Sequence, residues 1–283
     1  MFLGYNTNGL AHHVLDAACE LLAGLGYAGV AITLDHDLVR CLPNDQGFQL
    51  RQSAEEIQKC LTSSGLRSVI ETGARFILDP KVKHSPNLMD ADPERRAARQ
   101  TYYQTAILLA KELNSDCVSI WSGVAPCENL PVLRKRLADE LAKTLDFAAK
   151  QGVTLAFEPE PGMFIGDMTA FAQLVETLGT QNPTAADALA LTLDVGHLWC
   201  MGEPIAENVV RYADRLRNVH LDDAVRGLHE HRMPGEGEIP FDELFDALRQ
   251  VNYAGGVYVE LSRHSAEGPQ AARQAFEFFA KYF

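Results

Sequence analysis

Short apolar runs alternate along this chain with longer stretches in which apolar residues recur every three or four positions. The runs at 2–5, 29–34, 68–72, 117–121, 154–157, 190–193, 217–221 and 256–261 have the length and composition of buried strands. Between them the i, i+3, i+4 spacing predicts amphipathic helices. Over 13–25 it places Val14, Leu15, Ala18, Leu21 and Leu22 on one face, and over 131–151 it does so with Leu133, Leu137, Leu141 and Leu145. A third helix is predicted over 241–251, with Leu244, Phe245 and Leu248. Gly26, Gly65 and Gly152 each stand where a left-handed residue would end a helix before the next strand. Eight strand–helix pairs in 283 residues predict an α/β chain closed as a single (β/α)8 TIM barrel, one domain over residues 1–283. An open doubly wound sheet is the alternative, but no glycine-rich phosphate loop follows the first strand. The polar stretch 75–93, with Pro80, Pro86 and Pro93, reads as a long loop over the C-terminal face of the strands.

Composition narrows the partners. Hydrophobic residues at 47% make a globular chain able to bury a sizeable core, and a formal charge of −13 argues against nucleic acid. Six cysteines (Cys19, Cys41, Cys60, Cys117, Cys127 and Cys200) lie scattered without a C-x-x-C pair, as free thiols in a reducing cytoplasm would. No basic-then-apolar leader and no membrane-length apolar run is present, so a cytoplasmic protein with no membrane partner is expected.

The candidate chemistry lies in the second half. Four successive apolar runs end on a residue that can bind a divalent cation: Glu158, Asp194, His220 and Glu260. In a parallel barrel every strand ends on the same face, so the four would converge. Carboxylate oxygens with one imidazole suit Mn²⁺, Co²⁺, Mg²⁺ or Zn²⁺. Glu160 shares the strand parity of Glu158 and competes with it, because Pro159 and Pro161 blur the local register. Trp121 ends the fourth run, as a core aromatic or as a wall of the pocket. His36, within Asp35-His36-Asp37 after the second run, is either a turn residue or a substrate contact. Arg75, Lys81, Lys83 and His84 in the third loop, with Arg226 and Arg232 in the seventh, could grip a phosphate or carboxylate or form a solvated surface. Asp222 and Asp223 read as capping or loop carboxylates.

This layout resembles the xylose-isomerase-like barrel superfamily, which holds sugar and sugar-phosphate isomerases and 3-epimerases, inosose dehydratases, hydroxypyruvate isomerases and endonuclease IV. The resemblance spans the chain in element order and is specific in the second half. It rests on Glu158, Asp194-Val195-Gly196-His197, Val219-His220-Leu221, Pro234-Gly235-Glu236-Gly237 and Glu260. It implies one divalent ion held by Glu158, Asp194, His220 and Glu260, with Glu158 and Glu260 also moving protons. It further implies substrate contacts from His197, His231 and Arg226, His229 being a weaker candidate. The expected reaction is isomerisation or epimerisation of a sugar, sugar phosphate or related hydroxy-ketone. A proton leaves the carbon beside a carbonyl, the ion stabilises the enediolate, and two carboxylates on opposite faces exchange protons with it. Two alternatives stay open: an endonuclease IV-like phosphodiesterase, which would need further histidines after strands two and three, and a dehydratase of the same superfamily. The expected partner is a small sugar or sugar-phosphate substrate, and a homo-oligomer is compatible with the sequence.

Overall fold

The computed structural model describes residues 1–41, 48–126 and 129–283. Eight parallel strands close into a barrel: β1 (Phe2–Asn6), β2 (Gly29–Thr33), β3 (Arg67–Glu71), β4 (Val118–Ile120), β5 (Leu155–Phe157), β6 (Leu189–Asp194), β7 (Leu216–Leu221) and β8 (Gly256–Val259). Each pairs with its neighbours in chain order, and β8 returns to β1 with Leu3 opposite Val257. The strands read as continuous apolar runs, not alternating ones, because both faces are covered: helices outside, side chains inside.

The bore is closed near its N-terminal end by Tyr258, which is fully buried among Ala31, Val69, Cys117, Ala156 and Ala190. Gly4 on β1 is required there, because a Cβ at that position would overlap the Tyr258 ring. Small residues from neighbouring strands thus accommodate one large one, and the plug leaves the opposite end for a site.

The outer ring is formed by α1 (Leu15–Leu25), α2 (Ala54–Ser64), α3 (Pro93–Leu113), α4 (Leu130–Gln151), α5 (Met168–Gln181), α6 (Pro183–Ala188), α7 (Val195–Cys200), α8 (Ile205–Arg211), α9 (Phe241–Gln250) and α10 (Gly268–Phe279). The predicted helices at 13–25, 131–151 and 241–251 lie within a residue or two of α1, α4 and α9. Gly152 ends α4 in the left-handed conformation (φ 72°), its N–H turned back onto the last turn. Two antiparallel ribbons were not expected from the sequence: Val39–Cys41 with Phe48–Leu50 after β2, and Asp223–Val225 with Leu228–Arg232 after β7. Their strands are too short to carry a periodic signal.

Cys19, Cys60, Cys117 and Cys200 are free thiols; Cys127 and the side chain of Cys41 lie outside the described residues. Among the described residues no helix is long and apolar enough to cross a membrane.

Candidate active site

The ends of β5 to β8 deliver four polar side chains to one point. Glu158 follows the last residue of β5, and its N–H still donates to the Ile120 carbonyl, so strand pairing fixes its position. The N–H of Glu260 is held the same way by the Leu221 carbonyl. Asp194 closes β6 and caps α7, its Oδ1 accepting from the His197 N–H at 2.8 Å. His220 lies within β7, in register with Asp194 on one side and Tyr258 on the other. Its Nδ1 is 3.0 Å from Glu158 Oε1, 2.8 Å from Glu260 Oε2 and 3.8 Å from Asp194 Oδ2. One donor atom from each of the four lies within 4.8 Å of the others.

This group fits a divalent cation. Three carboxylates, Glu158 and Asp194 buried and Glu260 half-buried, around one imidazole leave an excess of negative charge, which is costly without a counter-charge. Asp194 Oδ2 is buried and has no hydrogen-bond partner, although the other oxygen of the same carboxylate is engaged. In the protein alone His220 supplies the positive charge. Burial opposes its protonation, but Glu71, Glu158 and Glu260 outweigh that and hold its pKa well above the ordinary value. Burial drives the Glu158 carboxyl well above the usual range. At Glu260 the same burial is overcome by the His220 charge, and its pKa falls below that range. The two carboxylates therefore sit in opposed environments across one imidazole.

Several residues that complete this arrangement escaped the sequence reading. Glu71, the last residue of β3, lies 2.9 Å from His220 Nε2 and accepts from Asn218 Nδ2 at 2.9 Å. With Glu71 on Nε2, Nδ1 becomes the nitrogen that faces the other three donors; a carboxylate behind a ligating histidine orients the ring in this way. Asn8 donates to Glu260 Oε1 at 2.8 Å. Glu71 had a signal, since it closes an apolar run just as Glu158 does. Asn8, on a short 3₁₀ turn after β1, had none.

A second polar group adjoins the first. His197 donates from Nδ1 to the Pro159 carbonyl at 3.2 Å, and its Nε2 is 3.1 Å from His229 Nε2. Burial pushes its pKa down to about 4, so it is a neutral ring whose Nε2 accepts a hydrogen bond from His229. His231 Nδ1 is 2.8 Å from Asp222 Oδ2. Asp222 is thus a buried partner of His231 and not a cap, and it crowds Gly196 so closely that a Cβ there would overlap its carboxyl group. Asp223 accepts from the Gly235, Gly237 and Ile239 N–H groups and holds the Pro234–Gly237 turn in place.

All of this opens into a cavity of about 310 Å³ at the C-terminal mouth. Glu158, His197, His220, His231, Glu260, Trp121 and Arg75 line it, with Asp194 buried beneath. The 75–93 loop lies at this face, contributing Arg75, Lys83 and His84. Glu160 lies at the wall and not in the quartet; burial, then the Glu260 charge, pushes its pKa up to about 7. Two expected substrate contacts do not join them. Arg226 is exposed and stacks on Trp199, its guanidinium carbon 4.0 Å from the ring centroid, because the ribbon after β7 carries it away from the mouth. His36 is exposed in a separate small pocket with Asp35, Asp37 and Arg75. Arg232 pairs with Glu230 and Lys81 is exposed, so neither contributes to the wall.

Comparison with known proteins agrees with this architecture. The family model described as xylose isomerase-like TIM barrel matches residues 19–282. The chain is 27% identical over 195 residues, 68% of its length and 70% of the relative's, to fructoselysine 3-epimerase of Shigella flexneri. Among solved structures it is similar in fold to 3-keto-D-glucoside 4-epimerase YcjR of E. coli, with TM-score 0.77, 18% identity and 99% of each chain covered. It is likewise similar to the IolI protein with a bound zinc atom, with TM-score 0.76, 20% identity, and 100% of this chain and 99% of that one covered.

Proposed function

Because this chain belongs to the xylose isomerase-like TIM barrel family, we propose that it is a divalent-metal-dependent epimerase or isomerase of a ketose or ketose derivative, residues 1–283 acting as one domain. The observation that carries this reading is the quartet: two carboxylates, Glu158 and Glu260, on either side of His220 Nδ1, with the unpartnered Asp194 Oδ2 beside them. Glu158, Asp194, His220 and Glu260 would hold the ion. When bound, it would supply a positive charge that stabilises negative charge developing on the substrate oxygens.

Everything else falls to the chain's own groups. Glu158 and Glu260 come from strands β5 and β8, so a substrate plane between them meets a carboxylate on each face. One removes a proton from the carbon beside the ketone and the other returns one. Asn8 fixes the rotamer of Glu260, and Glu71 fixes the ring of His220. His197, His231 and Trp121 wall the space that a sugar would occupy, and Arg75 lies at its edge.

The test is solvent exchange. Ketoses, ketose phosphates, inososes and hydroxypyruvate would be incubated in D₂O with Mn²⁺, Co²⁺, Mg²⁺ or Zn²⁺ and read by NMR. Deuterium should enter a carbon-bound position of at least one of them without change in the rest of its skeleton. Glu158→Gln and Glu260→Gln should each slow exchange by about 10²–10⁴-fold, with metal content measured on the same samples. Exchange that survives both substitutions rules out the two-carboxylate mechanism, and loss of water from the product identifies a dehydratase instead.

One observation favours a second reading, the phosphodiesterase. His197, His229 and His231 bring ring nitrogens within 4.8 Å of one another, a second group able to hold a cation. Against it, β3 ends on Glu71 where that reading needed a histidine, and His36 after β2 is exposed in a separate pocket. Metal stoichiometry separates the two: one ion per chain for the epimerase, two or three for the nuclease.

A further inference from the structure

In the closed barrel β3 and β4 stand opposite β7 and β8, so a ketose held at its reactive end by β5–β8 would have its remote carbons to place against that side of the cavity. There the long loop after β3 presents His84 to the cavity. The ring is held from several directions. Its Nδ1 is 2.6 Å from the Gly73 carbonyl oxygen. It packs edge-on against Trp121, with ring centroids 4.8 Å apart at 85°. The His84 carbonyl accepts from Arg99 Nη2 at 2.9 Å and the Pro86 carbonyl from Arg99 Nε at 2.7 Å. Arg99 is itself fully buried, with Nε and Nη2 engaged by these two carbonyls and Nη1 without a hydrogen-bond partner. His84 also has φ 64°, a left-handed conformation that costs a non-glycine residue on the order of 1 kcal/mol. A buried guanidinium and an unfavourable backbone conformation thus hold the loop segment that carries this imidazole, although no step of the proton transfer above uses the ring.

The partner of Nδ1 settles the tautomer. A carbonyl oxygen only accepts, so Nδ1 carries the proton and Nε2 carries the lone pair. No hydrogen-bond partner for Nε2 is found among the described residues. Burial, then the charges of Lys83, Arg99 and Arg75, push the His84 pKa down to about 4, against the Gly73 hydrogen bond, so the ring is neutral at pH 7.

We propose that His84 is a specificity-determining residue: its Nε2 accepts a hydrogen bond from a hydroxyl on the substrate carbons remote from the reacting ones. The inference rests on the ketose reading of the cavity. It separates His84 from Arg75 and Lys83, with which the sequence had grouped it as an anion grip. A neutral acceptor opposes a phosphate or carboxylate oxygen and selects a hydroxyl donor.

Histidine-labelled protein loaded with Zn²⁺ tests this by long-range ¹H–¹⁵N spectroscopy, His84 being assigned by the signals lost in His84→Asn. Asparagine tolerates the left-handed conformation, so that variant should fold. The expected state is neutral with the proton on Nδ1, and Nε2 should shift when D-fructose, D-allulose or L-ribulose is added. A charged ring, or a proton on Nε2, overturns the proposal before any ligand is used. If a ketose moves the His197 and His229 signals but leaves His84 untouched, the proposal fails while the ketose site stands. If no ketose moves any cavity histidine, the ketose reading fails and this inference fails with it. D-fructose 6-phosphate is the counter-probe, and charging of His84 by it alone would establish an anion site instead. For the ketose turned over best, His84→Asn, whose amide oxygen stops short of the Nε2 position, should raise KM about tenfold with kcat little changed, and His84→Gln, whose longer side chain carries its acceptor oxygen out to about that position, should recover part of it. A fall in kcat with KM unchanged contradicts a binding role.

Discussion

The two halves of the barrel mouth are built differently. On the β5–β8 side, the candidate metal donors stand at strand ends or within a strand, and backbone pairing sets their positions. Glu158 and Glu260 are fixed by their own N–H groups, Asp194 by its cap and His220 by its register. On the β1–β4 side, most of the polar groups come from loops and a single 3₁₀ turn. Side chain–backbone bonds and ion pairs hold them: Arg99 to the His84 and Pro86 carbonyls, Arg75 to Asp35, Asn8 to Glu260. A strand-built half is rigid at the precision proton transfer needs. A loop-built half can exchange residues without disturbing the donors, which is where discrimination between similar substrates is best placed. Glu71 is the exception that ties the halves together, since it reaches from β3 across the bore to His220.

The largest expected effect comes from the strand-built half. Asp194→Ala should lose the metal, and with it at least about a hundredfold in exchange rate. It also removes the cap of α7, costing about 1 kcal/mol of stability. Asp194→Asn keeps a cap acceptor, so metal loss with a near-normal melting temperature should separate the two roles. Retention of metal by both variants would mean that the quartet is not the cation site.

Next comes the link between the halves. Glu71→Gln leaves a neutral amide behind His220 and should weaken metal affinity by about 10–100-fold without abolishing binding. Competition with a chelator measures this. An affinity equal to wild type would make Glu71 a packing residue only.

A smaller effect is expected at Glu160. Burial raises its folded pKa to about 7, whereas the same carboxyl in an unfolded chain titrates near 4.5. Between these values the folded state holds a proton that the unfolded state has released. The stability this contributes is fully present below pH 4.5 and is lost as pH rises through 7. The melting temperature of the metal-free wild type should therefore decline relative to Glu160→Gln as pH rises from 4.5 to 7.5. A difference that is the same at every pH would show that Glu160 keeps an ordinary carboxyl.

The smallest change is expected at Arg226, which lies in neither half. Its exposed stacking on Trp199 is worth about 0.5–1 kcal/mol at most. Arg226→Ala should leave KM within about twofold of wild type. A tenfold rise would return this residue to the substrate site and show that the ribbon after β7 takes another position when substrate binds.

The strand-built half was readable from the chain, and the loop-built half largely was not. Glu158, Asp194, His220 and Glu260 each end or interrupt an apolar run, a local property visible without any tertiary knowledge. His197 and His231 came with the motifs around them. Arg75, Lys83 and His84 were placed on the right face, because a loop following a strand end must start there. Which of them face the cavity, and in what charge state, was invisible. For His84 that depends first on burial, and on partners such as Arg99, a buried residue 15 positions away that holds its carbonyl. Arg226 misled for the same reason: its distance from His220 in sequence is fixed, but the ribbon that carries it turns outward.

The sequence by itself determined the order of the eight barrel strands, the position of each to within about two residues, and the face on which their ends meet. These follow from hydrophobic periodicity, turn residues and the handedness of β/α crossovers, all of which act over a few residues or repeat regularly. Tertiary structure alone decided that Glu71 and Asn218, 147 residues apart, would meet behind His220, and that Asn8 would reach Glu260 across 252 residues. It also decided that His84 Nδ1 would meet the Gly73 carbonyl and that the ring would pack on Trp121. Hydrogen bonds between side chains distant in sequence depend on barrel closure and on rotamers chosen by packing, and protonation depends on burial. None of these leaves a periodic or local trace in the order of amino acids.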